Sequence, residues 1–170
     1  MKTQGYLVED ALTLMQPWGS IIAGLPCLTR PKRVENREWA PPPRIAGRWL
    51  AIHAGKGWDQ AGLLALVAMG VRAIDWPRAS VVACCRVTGY LDARVGPPLL
   101  VGDLPSWARS AMGVEEHTWW CGPVGWLLDD VVPIEPVGPI KGALGVWRLG
   151  EHAQPVSDAL QAALAARRAA

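Results

Sequence analysis

The chain has 170 residues, of which 51% are apolar and 19% charged. That length and balance fit one domain with a buried core and exclude a largely disordered chain. Its 17 Lys and Arg against 15 Asp and Glu leave a formal charge of +2, so the total gives no ground for general nucleic-acid affinity.

The elements follow in chain order. Ala11 to Met15 predicts a short strand, ended by Pro17, which suits the first turn of a helix over Trp18 to Gly24. Pro26 to Pro31 reads as a loop. Val34 to Trp39 alternates charge and bulk as a second strand, closed by Pro41, Pro42 and Pro43, and Gly47 to Ala54 predicts a third. Trp58 to Gly70 predicts a helix whose Leu63, Leu64, Leu66 and Val67 are too apolar for a solvated element, with Gly70 as its stop. Ser80 to Arg94 holds a long strand, bent at Gly89.

Val95 to Glu116 carries no period beyond a short helix at Ser106 to Ala111, and a stretch of that kind is usually functional or mobile. Val124 to Pro136 and Leu144 to Leu149 predict further strands. Ser157 is expected to cap a last helix over residues 156–168, with Arg167 and Arg168 at its negative end. Five or six strands and three or four helices without strict alternation predict an α+β fold around a small barrel, one domain over 1–170 with its core at about 12–149.

Two further features narrow the class. No apolar run approaches the roughly 20 residues of a membrane helix, and Glu9 and Asp10 precede any apolar run, so the expectation is a cytoplasmic protein with no membrane partner. Cys27, Cys84, Cys85 and Cys121 lack paired metal-ligand spacing and read as free thiols in a reducing compartment. Ten Trp with no Phe mean that indoles supply most of the aromatic packing, each with an N–H that needs a partner when buried.

The most informative segment is Lys32 to Trp39. Arg30, Lys32, Arg33, Arg37, Arg44 and Arg48 fall within it or beside it, opposed only by Glu35 and Glu38. On a strand, Glu35, Arg37 and Trp39 would share a face, with Lys32 on the other unless a turn near Pro31 re-aims it.

Several ordered motifs carry a resemblance. They are Leu14, Gln16, Pro17, Trp18, Ile22 and Gly24; then Lys32, Glu35, Asn36, Arg37 and Trp39; then Gly47, Arg48, Ile52, His53 and Ala54. Gly125, Trp126, Leu128, Asp130 and Val131, and finally Pro139, Lys141, Gly142, Leu144, Gly145 and Trp147, extend it. Together they resemble the ASCH domain (activating signal cointegrator-1 homology), a relative of the PUA fold, over about Leu12 to Leu149. Lys32, Glu35 and Arg37 match the family signature G-x-K-x-x-E-x-R, and Arg30 stands where its first glycine falls. The resemblance implies a five- or six-stranded β-barrel flanked by helices, the signature lining a cleft, and association with RNA or other nucleic acid. A few small members hydrolyse an acylated cytidine or act as ribonucleases; Glu35 stands at the place of the threonine that the hydrolytic members use.

Three functions follow as expectations. The first is binding of single-stranded RNA or a nucleotide-like ligand, with Lys32, Arg37 and Arg48 on phosphate, Glu35 on a polar base edge, and Trp39 and Trp18 as stacking surfaces. His53 would reach the cleft mouth, and Lys141 could add a phosphate contact or be an ordinary turn lysine. The second is an amidohydrolase or ribonuclease built on Lys32 and Glu35, with no cofactor unless a ribonuclease uses a divalent metal. The third is a protein–protein module using the apolar helix or the stretch from Val95. The sequence sets no oligomeric state.

Overall fold

The computed structural model describes residues 5–25, 31–68, 70–71, 76–95 and 119–170. Arg30, Cys27 and the helix expected at Ser106–Ala111 lie outside the described residues. The strands are β1 (Val8–Gln16), β2 (Val34–Arg37), β3 (Trp49–Trp58), β4 (Ser80–Asp92), β5 (Val124–Val137) and β6 (Val146–Arg148). They hydrogen-bond in the order β2-β5-β4-β3-β1-β6. Three α-helices accompany them: α1 (Trp18–Ile22), α2 (Gln60–Ala68) and α3 (Ala153–Ala169). Parallel β1–β3 and antiparallel β1–β6 and β2–β5 pairings make the sheet mixed, in an α+β chain. Among the described residues, no helix is long and apolar enough to cross a membrane.

The chain groups into two compact units. The first comprises Met1–Pro31, Trp49–Cys85 and Val131–Ala170, the second Lys32–Arg48 and Arg86–Asp130.

In the first unit, β1 and β3 run parallel with Ala11 beside Ala51, Leu12 beside Ile52 and Thr13 beside His53. Parallel strands are covered on both faces, which explains why β3 reads as a nearly unbroken buried run from Trp49 to Gly55. The core includes Val8, Trp49, Val132, Val156 and Leu160. Pro17 opens α1 as expected, and Gly24, at φ +83°, ends it in a conformation that only glycine adopts cheaply.

Two expectations for this unit need correction. Helix α2 buries only Gly62 and Leu66 and leaves Leu64 69% and Val67 50% exposed, so its apolar composition does not make it a core element. The last helix begins at Ala153 rather than near Ser157. Pro155 lies in its first turn, where the missing N–H would have no intrahelical acceptor anyway. Ser157 therefore sits inside α3, and its hydroxyl accepts the Val8 N–H at 3.1 Å.

In the second unit, β2 pairs with β5 in the register Val34–Leu127, Glu35–Trp126, Asn36–Gly125 and Arg37–Val124. Val34, Leu91 and Leu127 form one buried cluster in it, with Trp119 and Trp120 packed against it. The strand stops at Arg37, short of the expected Trp39, because the next carbonyls are claimed by side chains. The Glu38 oxygen accepts from Arg94 at 3.1 Å, and that of Trp39 accepts from the Trp126 indole at 2.8 Å.

Candidate functional site

Lys32, Glu35 and Arg37 converge in the second unit. Lys32 precedes β2, and its chain turns back so that Nζ donates to the Val34 carbonyl and to Glu35 Oε2, the latter at 2.9 Å. Glu35 Oε1 lies 3.2 Å from Arg37 Nε, so one carboxylate holds both cations. The lysine is thus re-aimed to the glutamate's side. The side chains of Lys32 and Glu35 are 4% and 8% exposed, that of Arg37 22%. The lysine and glutamate form an internal ion pair, and the arginine carries the positive charge toward solvent.

Arg37 lines a small cavity of about 230 Å³ with Asn36, Glu38, Trp39, Gly122 and Pro123. Trp39 is half-buried, and its ring meets Trp126 edge-on at 4.7 Å between centroids. The indole is therefore held on its Trp126 side by packing. Asn36 shapes the far wall: its amide donates to the Trp119 carbonyl at 2.7 Å, and its oxygen accepts the N–H groups of Cys121 and Gly122 at 2.9 and 3.2 Å. Gly125, opposite Asn36 in the ladder, leaves room that Trp120 fills, since a Cβ there would lie 2.7 Å from Trp120 Cδ1. The sequence reading gave Asn36 no role. Its position beside Glu35 in a short edge strand was the available signal, and its partners, more than eighty residues away, were not legible.

Arg48 belongs to the same unit and is exposed, following the 3₁₀ turn Pro43–Ile45. Trp18 and His53 belong to the other unit. Trp18 donates its indole N–H to Asp59 at 2.9 Å, and Asp59 also accepts the Gly62 N–H at 3.0 Å, so the pair braces the start of α2. These two bonds hold the Asp59 carboxyl below the usual carboxylate range, the Gly62 amide contributing most.

His53, 1% exposed, has a fully assigned hydrogen-bond set. Nε2 lies 3.0 Å from the Ile140 carbonyl, which can only accept, so Nε2 carries the proton. Nδ1 then accepts from the Thr13 hydroxyl at 3.2 Å, and Thr13 accepts the Trp147 indole N–H at 3.0 Å. Burial pushes the His53 pKa down, against the smaller opposing pull of the Ile140 and Ala79 carbonyls, which keeps the ring neutral at pH 7. Trp147 is half-buried and stands edge-on to His53 at 5.7 Å. Among the described residues, no three His, Cys, Asp or Glu side chains gather as metal ligands would.

Neither family models nor curated proteins match the sequence. Solved structures do. The chain is similar to the ASCH protein of Zymomonas mobilis at 14% identity and a TM-score of 0.47, over 88% of this chain and 92% of that one. A point mutant of that protein matches at 16% identity and a TM-score of 0.48, over 91% and 98% of the two chains. A second mutant matches at 15% and 0.46, over 89% and 94%. All three are structures of the ASCH kind that the ordered motifs resemble.

Proposed function

We propose that the chain binds single-stranded RNA or a nucleotide-like ligand at the cavity beside Arg37 and Trp39. The observation that carries this is the grip of one buried carboxylate, Glu35, on both Lys32 and Arg37. The carboxylate sits 3.2 Å from Arg37 Nε, and Arg37 lines the cavity, where a guanidinium matches the geometry of phosphate. The part of the Trp39 indole turned away from Trp126 offers a flat surface for a base. Asn36 holds the Trp119–Gly122 segment as the opposite wall. Arg48 adds a phosphate contact on the exposed surface of the same unit. The ASCH-like order of motifs, in a family linked to RNA binding, supports the ligand class.

Lys32 and Glu35 serve this reading as supports rather than as contacts. Neither lines the cavity, and Lys32 Nζ is already engaged by two oxygens. A hydrolase would need that ammonium to reach substrate, so binding is the reading the geometry favours.

Fluorescence anisotropy with a short labelled single-stranded RNA tests it. Affinity should fall with added salt, log K decreasing by about 0.7 per phosphate contact for each unit of log salt. No binding at low salt, or an affinity indifferent to salt, would refute the proposal.

A further inference from the structure

A second cavity, of about 670 Å³, lies in the first unit over Thr13 and His53. Its remaining lining is Gly55, Lys56, Ala79, the segment Pro139–Ala143 with Lys141, and Leu144. Three features set its chemistry. Among the described residues, no carboxylate lines it, and neither Lys56 nor Lys141, both exposed, has an ion-pair partner. Two uncompensated ammonium groups on one concavity attract an anion. Apart from Thr13, His53 and the lysines, every lining residue is a small or apolar one, which favours a ligand with an organic body over a bare ion. Leu144, 99% exposed at the rim, gains apolar contact only when something fills the space.

The wall that carries Lys141 is held in place. Ile140 is anchored through its carbonyl by His53 and through its N–H by the Ala79 carbonyl at 2.6 Å. Gly142 lies flat against the Thr13–His53 pair, where a Cβ would come within 2.5 Å of Thr13 Oγ1 and 2.7 Å of His53 Nδ1. Lys141 thus projects from a backbone fixed on both sides, so little loop-ordering entropy opposes binding.

We infer that this cavity binds a small organic phosphate monoester of about the size of a nucleoside 5′-monophosphate, with Lys56 and Lys141 on the phosphate and the organic body over Ala79, Ile140 and Leu144. A volume of about 670 Å³ falls within the roughly 300–1,000 Å³ typical of small-molecule sites. His53 acts as a positioning residue through Ile140.

Isothermal titration of the full chain with adenosine 5′-monophosphate, adenosine and inorganic phosphate tests this. The monophosphate should bind at least about tenfold more tightly than either fragment, a difference of about 1.4 kcal/mol. The double variant Lys56→Ala/Lys141→Ala should bring it down to the affinity of adenosine. Because both lysines are exposed, that variant should retain its fold, which circular dichroism checks. Arg167→Ala/Arg168→Ala removes the same charge from the end of α3 and controls for general electrostatics. Equal losses in the two double variants would overturn the site, as would a monophosphate affinity insensitive to the lysines. Inorganic phosphate binding as tightly as the monophosphate would overturn the role of the organic body.

Discussion

Glu35 Oε2 lies 2.9 Å from Lys32 Nζ with both side chains nearly sealed from water, while Oε1 of the same carboxylate faces Arg37 Nε at 3.2 Å. A buried ion pair of this kind is weak evidence for net stability, because desolvating two charges costs several kcal/mol that their attraction only repays. Breaking it from one side is another matter. Glu35→Ala should destabilise the chain by about 3–5 kcal/mol, since Lys32 is left charged and unpaired in the interior. The double variant Lys32→Met/Glu35→Leu should recover most of that loss. Denaturant midpoints of the three proteins measure the loss and its recovery; a Glu35→Ala effect below about 1 kcal/mol would show that the pair is not buried in solution.

Arg37 should behave differently, because its side chain is 22% exposed against 4% for Lys32. Arg37→Ala should change stability by at most about 1 kcal/mol. It should weaken RNA binding roughly uniformly across sequences and reduce the salt slope by about one contact. Trp39→Ala should instead lower affinity by about 1–3 kcal/mol per stacked base and leave the salt slope unchanged. Anisotropy titrations at three salt concentrations separate the two, and identical slopes for Arg37→Ala and the parent would remove the arginine from the phosphate role.

Much of this arrangement was legible in the sequence, for identifiable reasons. Local signals placed the strands: the alternation from Val34, the apolar runs in β3 and β4, and Pro17 followed by Gly24 around α1. The ordered motifs pointed to the Lys32–Glu35–Arg37 cluster before its geometry was known. What failed depended on partners distant in the chain. Ser157 looked like a cap because Ser before an apolar stretch usually is one, yet its acceptor role is set by Val8 at the other end of the chain. The exposure of Leu64 and Val67 depends on what packs on α2, which composition does not encode. The Thr13–His53–Trp147 relay and the lysine-lined cavity join three strands and a loop, so no window of sequence contains them.

His53 gives the pH dependence a definite sign. Its folded pKa lies below the ordinary value of 6.5, whereas an unfolded chain titrates near that value. The unfolded state therefore binds more protons in the window just below 6.5, and stability rises with pH there. The contribution of His53 is fully present above the unfolded pKa and is lost as pH falls through the folded one. Thermal midpoints between pH 5 and 8 should fall on acidification. The slope should be shallower in His53→Gln, which cannot gain a proton. Equal slopes would mean that the imidazole is not held neutral by burial.

Gly142 provides the test that links the fold to the second cavity. Its backbone lies against the Thr13 hydroxyl and the His53 ring so closely that an added Cβ would meet Thr13 Oγ1 at 2.5 Å and His53 Cε1 at 2.8 Å. Neither neighbour can yield freely: Thr13 is held by Trp147, and His53 by the Ile140 carbonyl. Gly142→Ala must therefore push the Pro139–Ala143 segment outward, at a cost of about 1–3 kcal/mol of overpacking strain. Lys141 moves with that segment, so monophosphate affinity should drop even though no charge is removed. Gly145→Ala is the informative contrast. Gly145 has φ +67° and open space around its Cβ position, so the variant strains the backbone without crowding the relay. Paired titrations should find that Gly142→Ala loses more affinity than Gly145→Ala at comparable loss of stability. The reverse order would mean that the cavity wall is not held by its contact with the Thr13–His53 pair.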